Sequence, residues 1–392
     1  MELINGDSLA VLKDFAENSI DSIVTDPPAG IAFMGKEWDD HGTLDAFQEA
    51  MKEIFHQCER VLKPGGYALV WALPRTSHHT AMALEKSGFE IRDIIHHCFG
   101  SGFPKSLNIS KAFDKKEGIA PLEIKPAGGV GFMKDDPNCQ YNTTKNQIIM
   151  PEATSDLAKE WQGWGTALKP AVEHWILCRK PLSEKTVVDN VLKHGVGGIN
   201  IDGCRVGNEK RLSPQKDTAA WSGNNWGGAK QEANGKFTEV EGRFPANLIH
   251  DGSEIVEKEF KESSRFFNNL TDNIDTTFIY QAKPSPAERN KGCEGLPLGE
   301  PSARTNPAPG RESALGKPRT NHHPTVKAIA LMSHLIKLIT PPKGICLDPF
   351  MGSGSTGVAC VKLGIDFIGI ERETEYFEIA RARIGPISRV HI

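Results

Sequence analysis

Gly344-Ile345-Cys346-Leu347-Asp348-Pro349-Phe350-Met351-Gly352-Ser353-Gly354-Ser355-Thr356-Gly357 is the stretch that decides the fold. Its apolar opening reads as a short buried strand and its close as the start of a helix. Glycines crowd the turn between them, which lets the backbone approach a ligand and points helix N-terminal amides at it. Further on, Gly364-Ile365-Asp366-Phe367-Ile368-Gly369-Ile370-Glu371 reads as a second strand. Its terminal acid falls where nucleoside-binding folds place a carboxylate for ribose hydroxyls, which makes Glu371 a candidate ribose ligand. Glycine spacing alone would equally suit a dinucleotide-binding loop.

Working outward to the other end of the chain, the apolar run Ile20–Val24 leads into Thr25-Asp26-Pro27-Pro28-Ala29-Gly30. An acid and two prolines thus sit where a buried strand leaves a sheet, the place at which open α/β folds build ligand crevices. Next, Phe47, Met51, Ile54, Phe55, Cys58, Val61 and Leu62 recur at helical spacing, and Lys63-Pro64-Gly65-Gly66 supplies breakers. Tyr67–Trp71 reads as a buried strand, a helix from about Ser77 ends at Gly88, and Phe89–Phe99 resumes a strand. Ala171–Cys178 supplies one more strand. Thr325 stands where it could cap a helix carrying Ile329, Met332, Ile336 and Ile339 on one face. This alternation predicts an α/β fold with a largely parallel sheet.

The intervening sequence differs in character. Gly100 to about Gly165 is rich in Gly, Pro, Lys and Ser and reads as a long excursion, a candidate active-site or substrate-facing loop. Residues 183–320 hold few helical periods and many turn formers, and read as a separate irregular domain. The expected division is therefore 1–182 and 321–392 as two parts of one core, with 183–320 inserted.

The two motifs, Asp26-Pro27-Pro28-Ala29 and Asp348-Pro349-Phe350-Met351-Gly352-Ser353-Gly354-Ser355-Thr356, resemble those of the DNA amino-methyltransferases, the N6-adenine/N4-cytosine family. Their order, catalytic motif first and cofactor loop last, is similar to that of the circularly permuted beta class. The resemblance implies a Rossmann-like S-adenosylmethionine-dependent methyltransferase fold, circularly permuted, with 183–320 in the position of an inserted target-recognition domain. It names S-adenosyl-L-methionine as cofactor, held by Asp7, Asp348, Phe350, Gly352, Gly354, Thr356 and Glu371. Asp7 could equally be a plain N-cap before Leu9.

The chemistry can also be argued from the residues. An exocyclic base amine is a poor nucleophile because its lone pair is delocalised into the ring. A carboxylate and a rigid carbonyl accepting both amine hydrogens would localise that pair and aim it at a methyl donor. Asp26 supplies the carboxylate and Pro27 the carbonyl, while Pro27 and Pro28 stiffen the turn. The fourth motif position departs from the family pattern: an aromatic that stacks on the extruded base is usual, and here it is Ala29. Phe33 or Trp38 could take over that contact, or pack the loop. Asp at the first motif position favours adenine N6 over cytosine N4. A catalytically weakened DNA-binding module is the reading from another class.

Composition limits the partners. The 392 residues carry a formal net charge of −4, so DNA contact must come from local clusters. Eight Lys or Arg stand against four Glu between Lys283 and Lys327, among them Arg311, Lys317 and Arg319; a shorter cluster holds Lys105, Lys111, Lys115 and Lys116. Either suits phosphate contact or is a solvated face. Trp221 and Trp226 lie in a Gly- and Asn-rich loop where they could stack on bases. The chain shows no membrane-span-length apolar run and no basic signal-peptide start, which predicts a cytoplasmic protein in a bacterial or phage-infected host cell. The eight cysteines read as reduced core thiols, and no metal site is expected. The resemblance names DNA as partner and allows two more, a cognate restriction nuclease and a second copy in a homodimer. Gly198–Arg205, Arg243–Asn247 and Lys283–Arg289 look like segments of phage and prophage-associated members, and physics alone assigns them no role.

Overall fold

The computed structural model describes residues 1–99, 106–119, 153–214, 237–250, 252, 258–260, 263, 267–269, 284–299 and 319–385. Lys105, Trp221, Trp226, Arg311 and Lys317 lie outside them. Two compact units emerge, one from 1–100 with 172–392 and the other from 101–171.

That unit is built on a sheet of nine strands: β1 (Glu2–Asn5), β2 (Ile20–Thr25), β3 (Leu62–Ala72), β4 (Glu90–Cys98), β5 (Val172–Arg179), β8 (Leu248–His250), β9 (Asn268–Asn269), β10 (Ile345–Asp348) and β11 (Asp366–Glu371). A separate antiparallel ribbon pairs β6 (Val206–Pro214) with β7 (Phe237–Arg243). The order across the sheet is β1-β11-β10-β2-β3-β5-β4-β8-β9. Only β5 runs antiparallel to its neighbours, wedged between β3 and β4. The late strand β10 lies inside the sheet, third in that order, hydrogen-bonded to β2 on one side and to β11 on the other.

The inner strands β2, β3, β5 and β10 are buried along most of their length because both faces of the sheet are covered there. Alternate residues enter opposite cores: Ile23, Ala68, Val70, Ile176 and Leu347 pack on one face with Phe47, Phe55 and Leu84 of the helices Leu44–Val61 and Ser77–Lys86. Val24, Leu69, Trp175, Leu177 and Cys346 pack on the other with Leu335, Ile336 and Val358 of the helices Ile329–Ile339 and Ser355–Leu363. The expected apolar face of Leu44–Val61 is buried, and Thr43 caps that helix through Ala46 N at 3.1 Å.

Thr325 is not the cap of Ile329–Ile339. The N-cap position is Ala328, and the Glu288 carboxylate accepts from Ile329 N at 2.9 Å instead. Thr325 N–H is turned to His323 Nδ1. The opposite end of the helix is also closed from a distance, since Asn200 donates to the Leu338 and Lys337 carbonyls.

In the second unit, the helices Ile109–Lys116 and Asp156–Glu160 are joined by Asp114, whose carboxylate accepts from Thr154 N and Ser155 N. Lys111, Lys115 and Lys116 are exposed on the first helix. Among the described residues no helix is long and apolar enough to cross a membrane.

Candidate active site

Because β2 and β10 are paired neighbours in register, Cys346 against Ser22 and Leu347 against Ile23, the two sequence motifs leave the sheet side by side. Thr25, the last residue of β2, donates its hydroxyl to Asp348 Oδ1 at 2.6 Å. Asp348 is buried and also accepts from Thr356 Oγ1 at 2.5 Å and from Phe350 N at 3.1 Å. Burial pushes its carboxyl up to about 6 against the pull of those donors.

Glycine is required at two points of the turn that follows. Gly352 (φ 52°) and Gly354 (φ 77°) are left-handed, and a Cβ on Gly354 would lie 2.8 Å from Ile384 Cδ1. The turn is pinned from both sides. Buried Arg383 donates to the Ser353 carbonyl and hydroxyl, and Glu371 Oε2 accepts from Gly352 N at 2.7 Å. The other Glu371 oxygen accepts from Glu373 N at 2.8 Å. Burial raises the Glu371 carboxyl above its ordinary range. Asp7 lies exposed at the adjacent strand end and caps the helix Ser8–Leu12, accepting from Ala10 N at 3.1 Å.

Asp26 meets a cation that sequence reasoning had placed on the basic strip. Lys327 Nζ lies 3.1 Å from Asp26 Oδ2 and 3.9 Å from Glu173 Oε2, and 4.1 Å from the centre of the Trp71 ring. Both partners of the first pair are mostly enclosed, with side-chain exposures of 17% for Asp26 and 12% for Lys327. Burial pushes the Asp26 carboxyl up to about 6, with Lys327 pulling it down and Glu173 and Asp348 pushing it up. Burial works against the Lys327 ammonium too, but Asp26 and Glu173 outweigh it and hold its pKa above the ordinary value. Desolvation would raise Glu173 as well, yet Lys327, ahead of His97 at 3.8 Å, draws its carboxyl down to about 2.

The loop after Asp26-Pro27-Pro28 is held by one side chain. Asp39, fully buried, accepts from Ala29 N (2.6 Å) and Gly30 N (2.7 Å) on one oxygen, and from Ile31 N (3.2 Å) and Phe33 N (2.7 Å) on the other. Thr76 closes the arrangement by donating to the Ala29 carbonyl at 2.9 Å. Gly30 packs its backbone on the Phe47 ring, where a Cβ would come within 2.6 Å.

The structure therefore brings Asp26, Pro27, Pro28, Asp348, Phe350, Gly352, Gly354, Thr356 and Glu371 to adjoining strand ends. Ala29 offers no ring, and its backbone carries the Asp39 and Thr76 bonds. Phe33 lies half-buried in the same loop, and the Trp38 indole nitrogen is buried beside Tyr376. Of the basic strip, Lys327 belongs to this site, and Arg289 is spent on the Asn321 and His323 carbonyls, whereas Arg319 is exposed. Sequence reading missed Asp39, Thr76, Glu173 and Lys327. Asp39 was open to discovery, as an acid between Trp38 and Asp40 in a short loop bounded by Gly35 and Gly42; Lys327 was not, because it lies in a distant part of the chain from Asp26.

A family model described as a DNA methylase, of the N6/N4 type, matches residues 20–382. A stretch of 68 residues is 44% identical to the Type II methyltransferase M2.MboI of Moraxella bovis, which is 17% of this chain and 25% of that relative. The aligned part thus spans about a quarter of the relative's length. Among solved structures, the M1.HpyAVI complex with S-adenosylmethionine is 18% identical, with 98% of each chain covered and a TM-score of 0.43. The cytosine-N4-specific PvuII DNA methyltransferase is 13% identical over 97% of this chain and 85% of that one, with a TM-score of 0.47. With a match that runs from the strand before Asp26 to the helix after Glu371, the chain belongs to the N6/N4 DNA methylase family.

Proposed function

We propose that this protein transfers a methyl group from S-adenosylmethionine to the exocyclic amine of a base in DNA, adenine N6 in preference to cytosine N4. The observation that carries the reading is the meeting of Asp26 and the Gly352–Gly354 turn at the ends of paired strands, bridged by the 2.6 Å bond from Thr25 to Asp348. The residues fit the cofactor. Buried acids at Asp348 and Glu371 suit ribose hydroxyls and a cationic donor, and the left-handed glycines let a nucleoside approach the backbone. When bound, S-adenosylmethionine supplies an electrophilic methyl on a sulfonium centre.

The chain's own residues do the rest. Lys327 lies against Oδ2 of Asp26, so Oδ1 is the oxygen to accept one amine hydrogen, and the Pro27 carbonyl accepts the other. The lone pair then localises on nitrogen, and the amine proton passes to Asp26 as the new bond forms. With Asp26 near 6, the carboxylate is mostly ionised at neutral pH and close enough in basicity to take that proton. The preference for adenine rests on Asp at the first motif position. We read the early catalytic motif and late cofactor loop as the permuted order of the beta class, and the sequence 183–320 as the source of target recognition.

The test is to incubate the purified protein with DNA and methyl-labelled S-adenosylmethionine, then digest to nucleosides and identify the product by mass. N6-methyladenine is expected from the native protein and none from Asp26→Ala. N4-methylcytosine would replace the adenine assignment, and label incorporation by Asp26→Ala at the native rate would overturn the mechanism.

A further inference from the structure

Asp26 and Lys327 come from opposite ends of the chain, and Lys327 faces two carboxylates at once. Asp26 Oδ2 is at 3.1 Å and Glu173 Oε2 at 3.9 Å, with the Trp71 ring beneath the ammonium. Glu173, the second residue of β5, faces His97 of β4 across the ladder, and His97 Nδ1 is 3.8 Å from its carboxylate. The charged and titratable groups that face Asp26 are thus Lys327, Glu173 and Asp348, and those that face Glu173 are Lys327 and His97. A lone buried carboxylate neutralises itself by taking a proton, and a protonated acid cannot accept an amine hydrogen at that oxygen.

Resting on the methyl-transfer reading above, we propose that Lys327 is a positioning residue that keeps Asp26 ionised and turns its free oxygen to the base, while Glu173 sets how firmly Lys327 is held there. Lys327 is anchored for this task on both sides. It directly precedes the Ala328 N-cap of the helix Ile329–Ile339, whose first free amide is closed by Glu288. Its ammonium lies on the Trp71 face, a contact that steadies a cation without competing for the carboxylate. Glu173 gives the ammonium a second seat beside the first, so Lys327 can lean toward Glu173 when an amine donates to Asp26 and return when product leaves.

The arrangement has a signed signature that a merely structural role does not. Removing Lys327 takes away the charge that pulls Asp26 down, whereas removing Glu173 takes away one that pushes it up. Asp26 is followed in the free protein by carbon-13 carboxyl resonances on aspartate-labelled chain, with Asp26→Asn assigning its signal. In Lys327→Met the midpoint is expected to rise by about one unit or more, the scale of losing an adjacent opposite charge. In Lys327→Arg it is expected near the native value, and in Glu173→Gln below it. The acidic limb of the kcat profile for DNA methylation should move in the same directions. Midpoints that stay put, or that move together in Lys327→Met and Glu173→Gln, overturn the proposal. If Lys327→Met fails to fold, Glu173→Gln alone decides, because a midpoint that does not fall refutes the coupling. A native protein that obeys these shifts but methylates no DNA would sink the methyl-transfer reading and leave the ion pair standing.

Discussion

Asp39→Asn should loosen the catalytic loop while leaving the fold in place. The native carboxylate accepts from four backbone amides, two on each oxygen, at 2.6 to 3.2 Å. An asparagine keeps one accepting oxygen and turns an NH2 group toward the other two amides, so donors face donors. Each stranded buried donor costs about 1–3 kcal/mol, which places the loss at about 2–6 kcal/mol. At about 1.4 kcal/mol per factor of ten, the loop then opens roughly 30-fold more often or worse. Hydrogen exchange reads this directly at Ala29, Gly30, Ile31 and Phe33, whose amides should lose at least that much protection while those of β3 keep theirs. Methylation should fall with it, since Asp26 and Pro27 lead into this loop. Unchanged protection at the four amides, or turnover within about threefold of native, would refute the idea that Asp39 holds the site.

Glu371→Ala is expected to weaken cofactor binding by roughly 1.5–3 kcal/mol, the scale of hydrogen bonds to a charged group, and calorimetry that finds unchanged affinity would remove it from the site. Asp26 sets an unusual pH dependence of stability: its folded pKa of about 6 lies above the unfolded one, so the native state holds the extra proton and loses stability as pH rises from about 4 to 6. Urea unfolding at pH 4, 5, 6 and 7 should show that slope reduced in Asp26→Asn, and identical slopes would mean the carboxyl titrates normally. Neutralising Arg311, Lys317 and Arg319 together should flatten the fall of DNA affinity with salt and spare cofactor binding. Parallel slopes would move phosphate contact elsewhere, with Lys111, Lys115 and Lys116 on the exposed helix as the next set to neutralise.

The elements that could be read from the sequence are those whose signal is local. Phe47, Met51, Phe55 and Cys58 repeat at helical spacing and are buried as that spacing requires, and the strands on either side carry the apolar runs Ile23–Val24 and Tyr67–Trp71, buried because helices cover both faces. The antiparallel insertion of β5 between β3 and β4 left no such trace, since pairing depends on partners far away in the chain. The segments without an assignable role turn out to be fasteners. Asn200 closes the carboxyl end of Ile329–Ile339, Glu288 its amino end, and Asn247 offers its carbonyl to His96 N beside the short strand β8. Each acts across tens to hundreds of positions, so composition made them look like loop. Charge counting failed for the same reason at Lys327 and Arg289, which add to a basic tally while facing inward.

The two strand-end acids share one environment and differ in how they are supplied with donors. Asp348 and Asp26 are both pushed up to about 6 by burial. Asp348 offsets part of that cost through three donors spread over both oxygens, from Thr25, Phe350 and Thr356, which suits an acid that ties a turn to a strand. Asp26 has, among the described residues, Lys327 against Oδ2. A second donor at its other oxygen would stabilise the carboxylate further, and an incoming amine is a donor of that kind. The free energy withheld from Asp26 in the resting protein is thus available when a base is placed against it, which is how binding energy is directed to a reacting group.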